Sequence, residues 1–110
     1  MRIRLNHAYQ VAQIIPIPSA MAQVNDLNAA IPAWAATLNT TASPITVVDQ
    51  NTGFDAPSML KDGLHPNTDG DWQISNAWYP SLIQAIHGVQ VLQGVPVQSG
   101  TERRSFKFAA

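Results

Sequence analysis

Two short runs of apolar, β-branched residues stand out along the chain, and each predicts a buried β-strand. The first, Val11–Ile17, is interrupted by Pro16 and followed by Pro18, and the second, Pro44–Asp49, ends in an aspartate. Short length, β-branched content and bounding prolines are typical of strands inside a sheet. A longer stretch with a different period separates the two runs.

This intervening segment, Asn25 to Leu38, carries apolar residues at the spacing of a helix. Asn25 or Asn28 is suited to cap the start of this helix, because a short polar side chain accepts hydrogen bonds from the free backbone N–H groups. Pro32 is then expected to lie in the opening turn or to kink the helix. The apolar positions at this spacing are Ile31, Trp34, Ala35 and Leu38.

A second helix is predicted between Asp69 and Ile86, also from the spacing of its apolar residues. Asn67 or Thr68 is suited to cap its start. Pro80 predicts a kink, and His87–Gly88 predicts the end of the helix. The apolar face consists of Ile74, Ala77, Trp78, Leu82, Ala85 and Ile86.

The remaining segments predict loops and a tail. Gln50–Leu60 contains glycine and proline and has little periodicity, so it is predicted to be a long loop. Val89–Leu92 is compatible with a short strand, but the glycines, prolines and basic residues that follow predict a linker or a solvated tail. The chain therefore divides into a predicted α/β portion, residues 1–88, and a linker or tail, residues 89–110.

The order strand, helix, strand, loop, helix predicts an α/β sandwich with parallel strands. Parallel strands are normally covered on both faces, and two of them make a poor sheet alone. The sequence is thus expected to form a partial three-layer α/β/α sandwich that lacks its amino-terminal half. An inner strand edge left exposed in this way predicts self-association.

Composition removes several classes of function. A length of 110 residues allows one domain at most, and a formal net charge of −1 offers no electrostatic surface for nucleic acid or an anionic membrane. The absence of cysteine excludes disulfides, thiolate zinc sites and cysteine nucleophiles. No signal peptide is expected, because Gln13, Pro16 and Pro18 interrupt the apolar run near the amino terminus. The cellular location stays open.

The candidate chemistry lies in the segment Lys61–Gly70. Asp62 and His65 are three residues apart in a turn that contains Gly63 and Pro66. At that separation a carboxylate can accept a hydrogen bond from imidazole Nδ1–H, which fixes the tautomer and leaves Nε2 free to accept a proton. The turn follows the loop after a strand, at the edge where open α/β sheets place their sites. An orienting acid and a histidine base are therefore the predicted catalytic pair.

The block Asp62-Gly-Leu-His65-Pro-Asn-x-x-Gly70, at the head of an amphipathic helix, resembles the last conserved block of the SGNH (GDSL-type) hydrolases. It is especially similar to the carbohydrate-esterase branch of that superfamily. The resemblance implies a flavodoxin-like α/β fold, and it implies ester hydrolysis through a seryl intermediate without cofactor or metal. It also implies that His65 is the general base and Asp62 its orienting carboxylate.

The preceding segments are similar to the same family. Val11–Ile17 resembles its fourth strand, Asn28–Pro32 the helix after it, and Ile45–Asp49 its fifth strand. The nucleophile of the family is a serine in an early Gly-Asp-Ser block, and this chain has no such block. Ser19 lacks the preceding Gly-Asp, and Asn25-Asp26 lacks the upstream glycine of the family's third block, so neither is assigned a role.

These departures imply that the chain by itself is inactive. It is expected to be a carboxyl-terminal fragment, a degenerate copy or one half of a split esterase, whose complete form acts on acylated carbohydrate or another small ester. The alternative is a non-catalytic α/β interaction module that keeps the turn for structural reasons. A further departure is Asp71, where the family more often has an aromatic residue; the neighbouring Trp72 is suited to replace its packing.

Other readings of the polar and aromatic residues are less favourable. A calcium loop built on Asn67, Asp69 and Gly70 lacks the terminal carboxylate that such a site needs, and one histidine among nearby carboxylates is thin support for a transition-metal site. His7 and His87 are predicted to be solvated. Trp34 and Trp78 are predicted to be core residues.

Overall fold

A parallel pair of short strands and the helices that pack on it make up the described part of the chain, residues 7–92 of a computed structural model, with side chains described for residues 7–88. The pairing confirms the predicted α/β class with parallel strands. The elements are β1 (Tyr9–Gln13), a 3₁₀ turn (Pro18–Ala20), α1 (Met21–Leu38), β2 (Ile45–Asp49), α2 (Ala56–Met59) and α3 (Thr68–Leu92).

The two strands pair in parallel from Tyr9 opposite Ile45 to Gln13 opposite Asp49. Strand β1 thus begins and ends earlier than the predicted Val11–Ile17. The reason lies at Ile14, where the backbone leaves the ladder and binds side chains instead. Helices α1 and α3 each pack against both strands, which gives the helix, sheet and helix of a partial α/β sandwich.

Asn28 fixes the end of β1 to α1. Its Oδ1 accepts a hydrogen bond from the Ile14 N–H at 2.7 Å, and its Nδ2 donates to the Ile14 carbonyl at 3.0 Å. The Asn28 side chain is buried, and removing it would leave the Ile14 N–H without its partner, at a cost of about 1–3 kcal/mol for an unsatisfied buried group. Asn51 Nδ2, just after β2, donates to the same carbonyl at 3.2 Å.

Helix α1 begins at Met21, four residues before the predicted start. The prediction that Asn25 or Asn28 caps it is wrong, because both lie inside the helix after the 3₁₀ turn Pro18–Ala20. Pro32 also lies inside the helix rather than in its opening turn.

The buried face of α1 is made of Val24, Asn28, Ile31 and Ala35. The prediction that Trp34 is a core residue is wrong, because its side chain is 51% exposed. Leu38, which shares the helical spacing, is 52% exposed. Periodicity identified Ile31 and Ala35 but not the whole face, since the polar Asn28 occupies a position on it and two large apolar residues lie beside it.

The predicted long loop Gln50–Leu60 contains the short helix α2, with Pro57 in its first turn. Helix α3 runs to Leu92, so the predicted stop at His87–Gly88 and the predicted short strand Val89–Leu92 are both wrong. Gly88 lies within this helix, and a Cβ added to it would meet no atom within 4 Å. Of the predicted linker or tail, residues 93–110 lie outside the described residues.

The core between the layers is small. Its buried apolar side chains are Val24, Ile31, Ala35, Val48 and Phe54. On α3, the predicted core residues Leu82 and Ile86 are 47% and 45% exposed, and Trp78 is half-buried. Within residues 7–92, none of the helices is long and apolar enough to cross a bilayer.

Candidate active site

A tight turn between α2 and α3 carries Asp62 and His65. Its two ends are joined by an isolated antiparallel bridge between Leu60 and Pro66, and the Lys61 N–H donates to the His65 carbonyl at 2.9 Å. Gly63 has φ +82°, a left-handed conformation that side chains with a Cβ rarely adopt. The glycine therefore allows the chain to reverse within four residues.

Asp62 receives three hydrogen bonds from within this turn. Its Oδ1 accepts from the backbone N–H of Leu64 at 3.0 Å and from that of His65 at 2.6 Å. Its Oδ2 lies 2.6 Å from His65 Nδ1. One carboxylate thus holds both the backbone and the imidazole of His65, and the two predicted site residues lie together.

The hydrogen bonds stabilise the ionised form of Asp62. The backbone N–H of His65 is the largest contribution, followed by the His65 side chain and the Leu64 N–H, and together they lower the pKa of Asp62 from 3.8 to about 2. A carboxyl group with a lowered pKa adds stability above its unfolded-state pKa and loses it as the pH falls through the folded-state value. The stabilisation from Asp62 is therefore complete above about pH 4 and lost between about pH 4 and pH 2.

We expect the Asp62 carboxyl carbon to titrate with a midpoint near pH 2 when followed by NMR. The physical reason is that protonation must break the bonds that the carboxylate accepts from Leu64 and His65. A spectrum of the Asp62→Asn variant assigns the signal, because that variant lacks it. A midpoint at 3.8 in the folded chain would contradict the three-bond geometry.

The pair is open to solvent. The side chain of His65 is 61% exposed and that of Asp62 is 48% exposed. When Nδ1 is the protonated nitrogen and bonds Asp62, Nε2 is the atom left to accept a proton. The arrangement can therefore act as a carboxylate-oriented base, while the catalytic roles of Asp62 and His65 stay predictions.

Two residues at the start of α3, Asn67 and Gly70, contact the segment that precedes the turn. Asn67 Oδ1 accepts from the Gly70 N–H at 2.9 Å, so Asn67 caps α3 as the sequence predicted. The Asn67 N–H also donates to the Met59 carbonyl at 2.9 Å. A Cβ added to Gly70 would lie 2.3 Å from the Met59 carbonyl oxygen and 2.8 Å from Pro66 Cβ, so the helix approaches the turn as closely as a glycine allows.

A second polar cluster lies at the carboxyl ends of β1 and β2. Asp49 Oδ1 accepts from the N–H groups of Asn51 and Thr52, both at 2.9 Å. Hydrogen bonds from Thr52, first from its side chain and then from its backbone, lower the pKa of Asp49. Gln13 Nε2 donates to the Asn28 carbonyl at 2.7 Å. These bonds join β1, α1 and β2, so the cluster connects the layers.

Metal ligands do not converge in the described part of the chain: it holds no group of three or more histidine, aspartate or glutamate side chains able to bind one ion. Asn67 and Gly70, two of the positions considered for a calcium loop, are engaged in the cap of α3.

The other residues considered from the sequence lie elsewhere in the fold. Ser19 is exposed in the 3₁₀ turn after β1, and Asn25 and Asp26 are exposed on α1. His7 is exposed near the ring of Tyr9. His87 is half-buried and lies in α3, five residues before its last residue, so its predicted position at a helix end is wrong.

The sequence did not predict one contact of the Asn67 side chain. Asn67 was predicted only as a cap, but its Nδ2 also donates to the Ser58 carbonyl at 2.8 Å. The partner lies nine residues upstream in a segment predicted to be a loop. The only signal was the choice of asparagine over serine or aspartate, which cap equally well.

Comparison with known proteins identifies two related solved structures. A carbohydrate esterase family 3 protein from Talaromyces cellulolyticus is 31% identical, with a TM-score of 0.68, over 83% of this chain and 42% of that one. A mutant acetyl esterase, in which alanine replaces a serine and which was solved with an acetate ion, is 38% identical, with a TM-score of 0.70, over 74% of this chain and 41% of that one. No protein-family model and none of the curated proteins matches the chain.

This chain spans about two-fifths of the length of those structures. Both matches combine sequence identity above 30% with a closely similar fold. The α/β arrangement is thus shared with these esterases over most of the present sequence. The chain is related to the esterases of the SGNH type, as its Asp62-Gly-Leu-His65-Pro-Asn block predicted, over the portion of their fold that it spans.

Proposed function

We propose that this chain supplies the histidine base and its orienting carboxylate to the active site of a serine esterase. The observation that carries the proposal is the 2.6 Å contact between His65 Nδ1 and Asp62 Oδ2 in a turn open to solvent. The two esterase structures that share this fold support the same reaction class. The proposed reaction is hydrolysis of a carboxylic ester.

In the proposed reaction, His65 Nε2 accepts the proton of a serine hydroxyl as the serine oxygen attacks the ester carbonyl. Asp62 stabilises the imidazolium that forms, and its lowered pKa keeps it ionised while it does so. His65 then returns the proton to the leaving alcohol. In the second half of the cycle His65 accepts a proton from water as the water oxygen attacks the acyl carbonyl. His65 then donates that proton to the serine oxygen as the bond between the serine and the acyl group breaks and the acid leaves.

The proposed substrates are acetyl or other small acyl esters of carbohydrate. The printed descriptions of the two solved structures, a carbohydrate esterase and an acetyl esterase, support this choice. An aromatic side chain, Trp72, lies half-buried in the first turns of α3, seven residues after His65 in the sequence. Its place near the start of α3 makes it a candidate for shaping the acyl or sugar site.

The proposed nucleophile comes from polypeptide outside this sequence, because the sequence contains no Gly-Asp-Ser block. We therefore expect the isolated chain to hydrolyse a chromogenic acetyl ester no faster than its His65→Ala variant. A triad without its nucleophile and oxyanion donors retains only a small residual rate. Hydrolysis by the isolated chain that is lost in His65→Ala would overturn this expectation and require a nucleophile among its own residues.

A second candidate function is an interaction module that pairs through the edge of β1. Among the described residues β1 pairs only with β2. The Tyr9 N–H donates to the Pro44 carbonyl, on the side of β1 that faces β2. Because successive residues of a strand direct their N–H groups to alternate sides, the N–H of Ala12 points to the opposite side, which pairs with no described strand. Such an edge can add a strand from another chain.

We expect the chain to self-associate through this edge, and Ala12→Pro to weaken the association on the order of tenfold. Proline removes an edge donor at Ala12 without removing a bond to β2. Sedimentation velocity over a range of concentrations measures the effect. Val11→Pro is the matched control, because it removes a donor that faces β2 and should lower stability instead. A wild-type chain that stays monomeric at all concentrations would contradict the proposal.

A further inference from the structure

The Asn67 side chain joins two segments that flank the Asp62–His65 turn. Its Oδ1 accepts from the Gly70 N–H at 2.9 Å, inside the first turn of α3. Its Nδ2 donates to the Ser58 carbonyl at 2.8 Å, in α2. One amide group therefore ties the helix before the turn to the helix after it, and Asn67 is half-buried at this junction.

Two backbone hydrogen bonds also join the two segments at the base of the turn. The Asn67 N–H bonds the Met59 carbonyl, and the Lys61 N–H bonds the His65 carbonyl, both at 2.9 Å. His65 lies two residues before Asn67, so a change in the backbone at Asn67 is transmitted directly to the imidazole. The exposure of His65 leaves the turn itself, rather than surrounding packing, to fix its direction.

We propose that Asn67 is a positioning residue for His65, acting through the bond from its Nδ2 to the Ser58 carbonyl. This bond adds a side-chain link beside the two backbone hydrogen bonds at the base of the turn, and so helps to hold the His65 backbone and ring against Asp62. The proposal rests on the proposed function only in giving His65 a catalytic role. The positional effect of Asn67 on the pair can be measured in the isolated chain.

The choice of asparagine at this position supports the proposal. Serine and aspartate cap helices as well as asparagine does, but aspartate has no donor when ionised, and serine has one short side-chain oxygen in place of the amide. Of these three residues, only asparagine can accept from the Gly70 N–H and also reach the Ser58 carbonyl with an amide donor. The second bond is what distinguishes asparagine from the other good caps.

The test compares Asn67→Ser with wild type in the full chain by NMR. Serine keeps a cap for α3 and removes the bond to Ser58, so we expect the Asp62 titration midpoint to move up from about 2 toward 3.8. We also expect the ¹⁵N shifts of the His65 ring to move toward those of an imidazole with mixed tautomers. Asn76→Ser, at an exposed position in α3, is the matched control and should change neither signal.

Circular dichroism establishes that each variant is folded. If Asn67→Ser does not fold, Asn67→Asp keeps the length and the cap while removing the donor, and the ¹⁵N shifts of His65 give the readout. A folded variant in which the Asp62 titration midpoint and the ¹⁵N shifts of the His65 ring equal those of wild type would overturn the proposal and leave Asn67 as a cap alone. Failure of the esterase proposal would appear separately, as a reconstituted enzyme without His65-dependent hydrolysis.

Discussion

Replacing His65 by alanine in a reconstituted esterase is expected to lower hydrolysis of an acetyl ester on the order of 10³-fold or more. The loss follows from the geometry of the turn, since Asp62 Oδ2 holds Nδ1 at 2.6 Å and leaves Nε2 as the base. Asp62→Asn should cost on the order of 10³-fold or more as well, because an amide can orient the imidazole in the wrong tautomer and cannot stabilise its charge.

The reconstitution places residues 7–92 of this chain into the acetyl esterase that it matches, in place of the matching segment. That esterase then supplies its remaining fold and a serine restored to its natural position. The rate of release of a chromogenic alcohol measures activity, and a burst of product at short times would report the acyl-enzyme. His7→Ala is the matched control, because His7 is exposed beside Tyr9 and outside the turn.

A chimera that is folded and active, and in which His65→Ala hydrolyses the ester as fast as its parent, would contradict the assigned role of His65. A folded chimera without activity, in which the parent enzyme's own segment restores full activity, would contradict the proposal that this chain carries a competent base. In both cases the rate of ester hydrolysis is compared with that of the parent enzyme at the same concentration.

Gly70→Ala is expected to destabilise the fold by about 3 kcal/mol, because the new methyl group has no space. Its Cβ would lie 2.3 Å from the Met59 carbonyl oxygen, 2.8 Å from Pro66 Cβ and 3.2 Å from Phe54 Cζ. The nearest obstacle is backbone, so α3 and the segment around Met59 must separate. For a chain of this size the melting temperature should fall by roughly 10 °C or more.

Gly88→Ala is the matched control for this substitution. Gly88 also lies in α3, but a Cβ there meets nothing within 4 Å. Alanine is the better helix former by about 1 kcal/mol, so Gly88→Ala should leave stability unchanged or raise it slightly. Urea unfolding of both variants provides the comparison, and equal stabilities would contradict the close approach of α3 to Met59.

The parts of the fold that could be predicted are those set by local sequence. Short β-branched runs predicted both strands, and the Asp62–His65 contact followed from a spacing of three residues in a turn with Gly63. The cap at Asn67 was equally local, because a cap depends on the three residues that follow it.

The errors concern features set by distant contacts. Strand β1 ends at Gln13 because Asn28, fourteen residues beyond Ile14, takes over the Ile14 backbone. The same polar residue occupies the buried face of α1, where periodicity favoured Trp34. The exposure of Trp34 depends on which side of α1 meets the sheet, and the spacing of apolar residues alone did not determine it.

Helix α3 shows a different limit. Glycine near the end of a periodic segment predicts a stop, but Gly88 continues the helix to Leu92. Glycine costs a helix about 1 kcal/mol relative to alanine, and this preference is small enough for the residues on either side to outweigh. The position of Gly88 in the sequence therefore suggested a cap that the helix does not use.

The hydrogen bonds that shape the Asp62–His65 turn all join residues between Ser58 and Gly70. The acid–histidine pair is thus a self-contained cassette whose geometry does not depend on where a nucleophile is encoded. Changes elsewhere in such a fold can therefore leave the geometry of this turn intact. Detection of this block in a sequence accordingly identifies the turn, and a complete active site needs separate evidence.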